Sequence, residues 1–323
     1  MMKIKMSVII CWLMLNSALA VDLKVGILAP DGTTWAKYLK KIIKAVDVAT
    51  NGEVKIKVYY GGAQGDESDV LRKIRVGQLH GEIFTGKTLS EIYSDVRIME
   101  VPFTFFDDHN KASQTLKKMT DYFNSGFEKN GFINLGFYEL GKVYFISKKK
   151  ASSIEGMKGM KIWLWEGDKL VSTLISNLGL VGVPLAMTDV LTSLQTGILE
   201  ATYAPPMAIL AVQWNTKVNY LINFPIAFSM GAFLIDKKAW NKVPAKYQAK
   251  VKEICFQFSD EVNKKTVEES KEALEAMKST GMEFVEFSKD DIKKSNLIRA
   301  QVIKDLEGKV LSKKVIEIFS KNI

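Results

Sequence analysis

The chain runs through strand and helix patterns alternately, and does so twice. No single motif in it restricts the fold as much. From Val21, VDLKVGILAP reads as a strand ending in a proline turn. DGTTWAKYLKKIIKAVDVATNG then places Trp35, Leu39, Ile42, Ile43 and Val46 at helical spacing, with Asn51-Gly52 as the stop. EVKIKVYY alternates with period two, GGAQGDES leads into a helix DVLRKIRVGQLHG, and GEIFTG supplies a third strand. Strands joined through helices in this order wind into a mostly parallel sheet. After RIMEVPFTFFDDHNKA, read as a crossing segment around Pro102, and the strands of FINLGFYELGKVYFISKK, the alternation starts anew. MKIWLWEG, DKLVSTLISNLG, VGVPL and MTDVLTSLQTGIL give strand, helix, strand, helix. ATYAPPMA is predicted to break regular structure at its two prolines, and YLINFPIAFSMGAFLIDKKAW to give two apolar strands. A long, bent helix should run from Pro244 to Gly281, followed by two short helices. The reading is two α/β lobes with a cleft between them, the usual place for a ligand.

The first twenty residues form a separate unit. Lys3 and Lys5 precede an apolar run from Met6 to Leu15, and Ala18 and Ala20 provide small residues before a cut after Ala20. This is the pattern of a secretory signal peptide, which predicts an exported, periplasmic protein. Its loss removes Cys11 and leaves Cys255 alone, so no internal disulfide can form. The formal charge of +9 falls to +7 without Lys3 and Lys5, and the lysines alternate with glutamates along helices. That pattern describes solvated faces and argues against nucleic acid as a partner.

Little in the chain points to catalysis. The only histidines, His80 and His109, lie in different segments without cysteine or carboxylate at metal-ligand spacing, so neither a metal nor another cofactor is expected. GGAQGDES resembles a phosphate loop only in its glycines; Asp66 and Glu67 favour the helix dipole and would repel phosphate. The carboxylates Asp107, Asp108, Glu166 and Asp168 read as loop or capping residues, with Asp168 as the cap that opens DKLVSTLIS. The expectation is a binding protein, not an enzyme.

KGMKIWLWEGD places Trp163 and Trp165 on one face of a strand. Together with GGAQGDESDVLRKIRVGQLHG, VPFTF and MTDVLTSLQTGILEATYAPP, this stretch resembles the periplasmic solute-binding subunits of tripartite ATP-independent periplasmic (TRAP) transporters, of the dicarboxylate-binding-protein family. The resemblance covers nearly all of the chain after residue 20. It implies a two-lobed periplasmic-binding-protein fold with hinge strands and a long helix spanning both lobes. Lobe one would be 21–140 with 230–269, and lobe two 141–229 with 270–323. The implied partners are a small ligand, TRAP membrane subunits and a tetratricopeptide-repeat periplasmic protein.

The departures from the family pattern bear on the ligand. Where the family usually carries an arginine that clamps a substrate carboxylate, this chain has Trp163. Ala204 stands in place of an asparagine, and a third polar contact would fall near Gly86. Lys142 matches a second cationic position. An unpaired carboxylate at such a site would lose roughly 2–5 kcal/mol, whereas a buried indole covers about 150–250 Å² and favours apolar or flat ligands. The expected ligand is therefore apolar or amphiphilic, lipid-like or an aromatic acid. The alternatives are a small organic carboxylate held by Lys142, or a carrier or scaffold without small-molecule transport. Besides Trp163, Lys142, Ala204 and Gly86, the candidate pocket includes Trp165, Glu166, Met187, Tyr203, Trp35, Phe84, Tyr144, Trp214 and Phe228.

Overall fold

The computed structural model describes residues 20–106 and 108–323. The signal-peptide reading and Asp107 fall outside these residues, except for Ala20. Ten strands build a mixed sheet: β1 (Val21–Gly26), β2 (Val54–Tyr59), β3 (Gly81–Thr85), β4 (Phe132–Ser147), β5 (Lys161–Trp165), β6 (Val181–Leu185), β7 (Ala201–Ala204), β8 (Tyr220–Ile222), β9 (Ala227–Asp236) and β10 (Glu283–Val285). Their order is β2-β1-β3-β9-β4-β7-β5-β6, with β8 on β4 and β10 on β8. The pairs β1 with β2 and β3, and β5 with β6 and β7, are parallel, as the alternation predicts. β4 and β9 enter antiparallel and join the two halves.

β4 is long enough to serve both lobes because it changes register on the way. Its ladder to β9 shifts between Glu139 and Gly141, where Gly141 has φ +102°, a conformation that side chains rarely adopt. The helix Ala245–Ser279 holds the strand near this point. Asn263 donates from Nδ2 to the Phe137 carbonyl at 3.0 Å and accepts from the Glu139 N–H at 2.8 Å. Val251, Cys255 and Val262 of this helix pack in lobe one, and Met277 packs beside Trp163 in lobe two. The helix therefore spans both lobes. Burial pushes the Cys255 thiol up to about 12, as fits a small apolar core residue.

Four apolar clusters flank the two halves of the sheet, two for each half. Several local expectations need correction. ATYAPPMA ends its strand at the prolines but is regular on both sides: Ala201–Ala204 is β7, and Pro206 opens a helix to Ala211, since proline costs nothing at a first helical turn. The last helices are not both short; Lys289–Leu306 has 18 residues, and β10 precedes it. The C-terminal segment, assigned to lobe two from the sequence, returns to lobe one. Leu311, Val315 and Phe319 join the cluster of Leu116 and Met119, and the Ser312 N–H donates to Asp95 at 2.8 Å.

Candidate functional site

A cavity of about 200 Å³ lies between the lobes. Lobe one contributes Leu28, Trp35, Phe84, Gly86, Arg97 and Glu100, and lobe two Trp163, Trp165, Asp168, Met187, Tyr203 and Ala204. Trp214 and Phe228 also border it, whereas Lys142, Tyr144 and Glu166 do not. Strand geometry explains the difference. Val143 and Phe145 of β4 face the cavity, so the intervening residues face away. Glu166 follows the end of β5 and is exposed. The cation expected from the sequence is therefore not at the cavity.

The indole pair is buried and packed against other aromatic rings where it does not border the cavity. Trp163 is 3% exposed; its ring stacks on Tyr203 at 5.1 Å and 22°, and meets the edge of Trp214 at 5.3 Å and 71°. Trp165 lies 5.4 Å from Trp163. Each indole N–H has an acceptor: Trp163 donates to the Leu185 carbonyl at 3.0 Å, and Trp165 to Oδ2 of Asp66 at 2.8 Å. Asp66 also caps the helix Glu67–Arg75, so a lobe-one helix start is tied to a lobe-two strand end.

A buried ion cluster closes the other wall. Arg97 donates from Nη2 to both Asp168 oxygens, at 2.9 and 3.0 Å, and its Nη1 lies 3.0 Å from Oε2 of Glu100. Asp168 caps the helix Lys169–Asn177 through the Val171 N–H, as its place at the head of DKLVSTLIS predicts. Glu100 also accepts from the Met230 N–H at 3.1 Å. Burial works against the Arg97 charge, but Asp168 and Glu100 outweigh it and raise its pKa further. Burial holds Glu100 above its ordinary value despite Arg97. Gly86 is what allows Glu100 its place, because a Cβ there would fall 1.9 Å from Oε2.

Two further acids lie at the base of lobe one. Glu67, at the cavity border, takes the Thr85 N–H at 3.0 Å on both oxygens, and burial pushes it up to about 8. Glu82 is raised by burial and by Glu67 and Asp66. Lys87 pairs with Glu91 at 2.7 Å. Among the described residues no group of histidine, cysteine and acidic side chains could hold a metal ion. No described helix is long and apolar enough to cross a membrane.

Arg97 and Glu100 escaped the sequence reading. A signal was available: both charges sit inside the apolar run VRIMEVPFTFF, and charges buried in such a run need partners.

Residues 25–309 match the family model of the bacterial extracellular solute-binding proteins, family 7. A solute-binding protein of Verminephrobacter eiseniae is 21% identical over 286 residues, covering 88% of this chain and 84% of that protein. The C4-dicarboxylate-binding periplasmic protein DctP of Rhodobacter capsulatus is 22% identical over 270 residues, with coverage of 82% and 80%. Among solved structures, a TRAP periplasmic solute-binding protein from Desulfovibrio salexigens with bound orotic acid superposes with a TM-score of 0.85 at 20% identity, covering 94% of this chain and 98% of that one. One from Haemophilus influenzae with bound L-gulonate gives 0.86 at 19% identity, covering 93% and 98%. At these identities the structures speak for the fold alone.

Proposed function

This chain belongs to family 7 of the bacterial extracellular solute-binding proteins, the family of TRAP periplasmic receptors, and from that premise we propose that its interlobe cavity captures an apolar or amphiphilic ligand. The observation that carries the reading is the wall formed by Trp163, stacked on Tyr203 and edged by Trp214. Aromatic faces offer large contact area and no charge. At about 25 cal/mol per Å² of apolar surface removed from water, such a wall supplies affinity without an ion pair. Lys142 does not border the cavity, which weighs against the small-carboxylate alternative.

The bound ligands of the structural relatives set the contrast, because orotate, galacturonate and gulonate are polar acids. In this reading the lobes close on the ligand and deliver it to TRAP membrane subunits. The test is native mass spectrometry of protein taken from its own periplasm, followed by tryptophan fluorescence titration. Saturation by at least one member of an apolar and amphiphilic set (toluene, benzyl alcohol, phenylacetate, decanoate), with galacturonate, orotate and succinate inert, is expected. Tight binding of those polar acids with the apolar compounds inert would overturn the proposal.

A further inference from the structure

We infer that the cavity takes an uncharged molecule about the size of one substituted aromatic ring. The inference rests on the receptor reading above and narrows its ligand class. Size is the first argument. An apolar cavity of about 150 Å³ holds benzene, and this one measures about 200 Å³. A single ring with a short substituent fills that space, and a long acyl chain exceeds it.

Charge is the second argument. The carboxyl, ammonium and guanidinium groups bordering the cavity are already engaged with protein partners. Arg97 has one terminal nitrogen on both Asp168 oxygens and the other on Glu100. Lys87 is held by Glu91 and Ser68, and Glu67 by the backbone and hydroxyl of Thr85. A ligand carboxylate at Arg97 would compete with Asp168 and Glu100 for one guanidinium, bringing a third acid to a buried charge that two acids already face. Displacing either acid from Arg97 would weaken binding roughly a hundredfold to several thousandfold. An ammonium group meets the converse difficulty, since Asp168 and Glu100 are committed to Arg97 and the rest of the wall is largely hydrocarbon. A neutral ring leaves every one of these pairs in place.

The test compares probes of one skeleton at pH 7 by calorimetry and tryptophan fluorescence: toluene, benzyl alcohol, benzoate and benzylamine. Toluene and benzyl alcohol are expected to bind at least ten times more tightly than either ion. Asp168→Asn, which weakens the hold on one arm of Arg97, should raise benzoate affinity at least tenfold relative to that of toluene measured on the same variant. Benzoate or benzylamine binding as tightly as the neutral probes would overturn the inference. If the variant fails to fold, the wild-type series decides alone. Decanoate binding without any ring probe would overturn the inference in both size and charge and leave the receptor reading standing. Saturation by galacturonate or orotate alone would remove both.

Discussion

Arg97 and Asp168 meet across the cleft, one guanidinium nitrogen lying 2.9 and 3.0 Å from the two carboxylate oxygens, with both side chains buried. The pair joins the segment Ser94–Glu100 of lobe one to the cap of a lobe-two helix. A change in either residue therefore alters lobe closure, a helix start and the cavity wall together.

Removing the acid should be costly. Asp168→Ala leaves Arg97 with Glu100 alone and strips the cap from Lys169–Asn177. The expected loss is about 3–5 kcal/mol for the broken buried pair, with about 1 kcal/mol more for the cap. Urea denaturation measures it, and a loss below about 1 kcal/mol would show that the pair contributes little beyond its packing.

The second cross-lobe bond runs from Trp165 to Asp66. Trp165→Phe keeps an aromatic ring against Trp163 and removes the N–H. A hydrogen bond to a charged acceptor contributes about 1.5–3 kcal/mol, so the variant should populate more open molecules. Small-angle scattering of the unliganded protein should then give a larger radius of gyration. An unchanged radius together with an unchanged melting temperature would mean that the bond does not hold the lobes.

Gly86→Ala tests the packing around Glu100. The added methyl would lie 1.9 Å from Oε2, so Glu100 must move away from both Arg97 and the Met230 N–H. Overpacking of this kind costs about 1–3 kcal/mol, and the lost bonds add to it. Thermal unfolding checks the prediction; a variant as stable as the wild type would show that Glu100 has room to shift.

The winding of the two lobes was legible because each element carries its own pattern. Val54, Ile56 and Val58 alternate along β2, and Trp35, Leu39, Ile42 and Val46 line one helix face. The long helix announced itself by its proline start and its length. The ion cluster was only half legible: Arg97 and Glu100 stand three residues apart in one apolar run, but Asp168 comes from a distant segment and meets them only after the lobes pack. Periodicity says nothing about such meetings. The return of Val315 and Phe319 to lobe one was hidden for the same reason: an amphipathic helix shows that it has a buried face, and not which core receives it. Lys142 misled because homologous position was taken without the strand parity, which aims Val143 and Phe145 at the cavity instead.

Glu67 makes stability depend on pH. In the fold burial raises it from 4.5 to about 8, so between those values the native state holds a proton that the unfolded chain has lost. Its contribution is full below about pH 4.5, declines as pH rises towards 8 and is gone above it. At about 1.4 kcal/mol per unit the decline amounts to a few kcal/mol. Glu82, raised by the same burial, adds to the slope. Glu67→Gln should flatten the fall of melting temperature between pH 5 and 8, in the range set by that shift. A variant that keeps the wild-type slope would place the titration elsewhere.

Trp163 is where packing and binding have to be told apart. Its ring touches Tyr203, Trp165 and Trp214 while bordering the cavity, so truncation to alanine should cost about 3–5 kcal/mol in stability alone. That loss would lower apparent affinity whether or not the indole meets ligand. Trp163→Phe is the cleaner variant: it retains a ring for Tyr203 and gives up the bond to Leu185, about 1 kcal/mol. Near-ultraviolet dichroism at a temperature well below both transitions establishes that both proteins are folded, and titration with an apolar probe then reads contact directly. If the indole is part of the binding wall, the smaller ring should weaken that probe several-fold at equal foldedness. If it serves the core alone, melting temperature falls while affinity stays where it was.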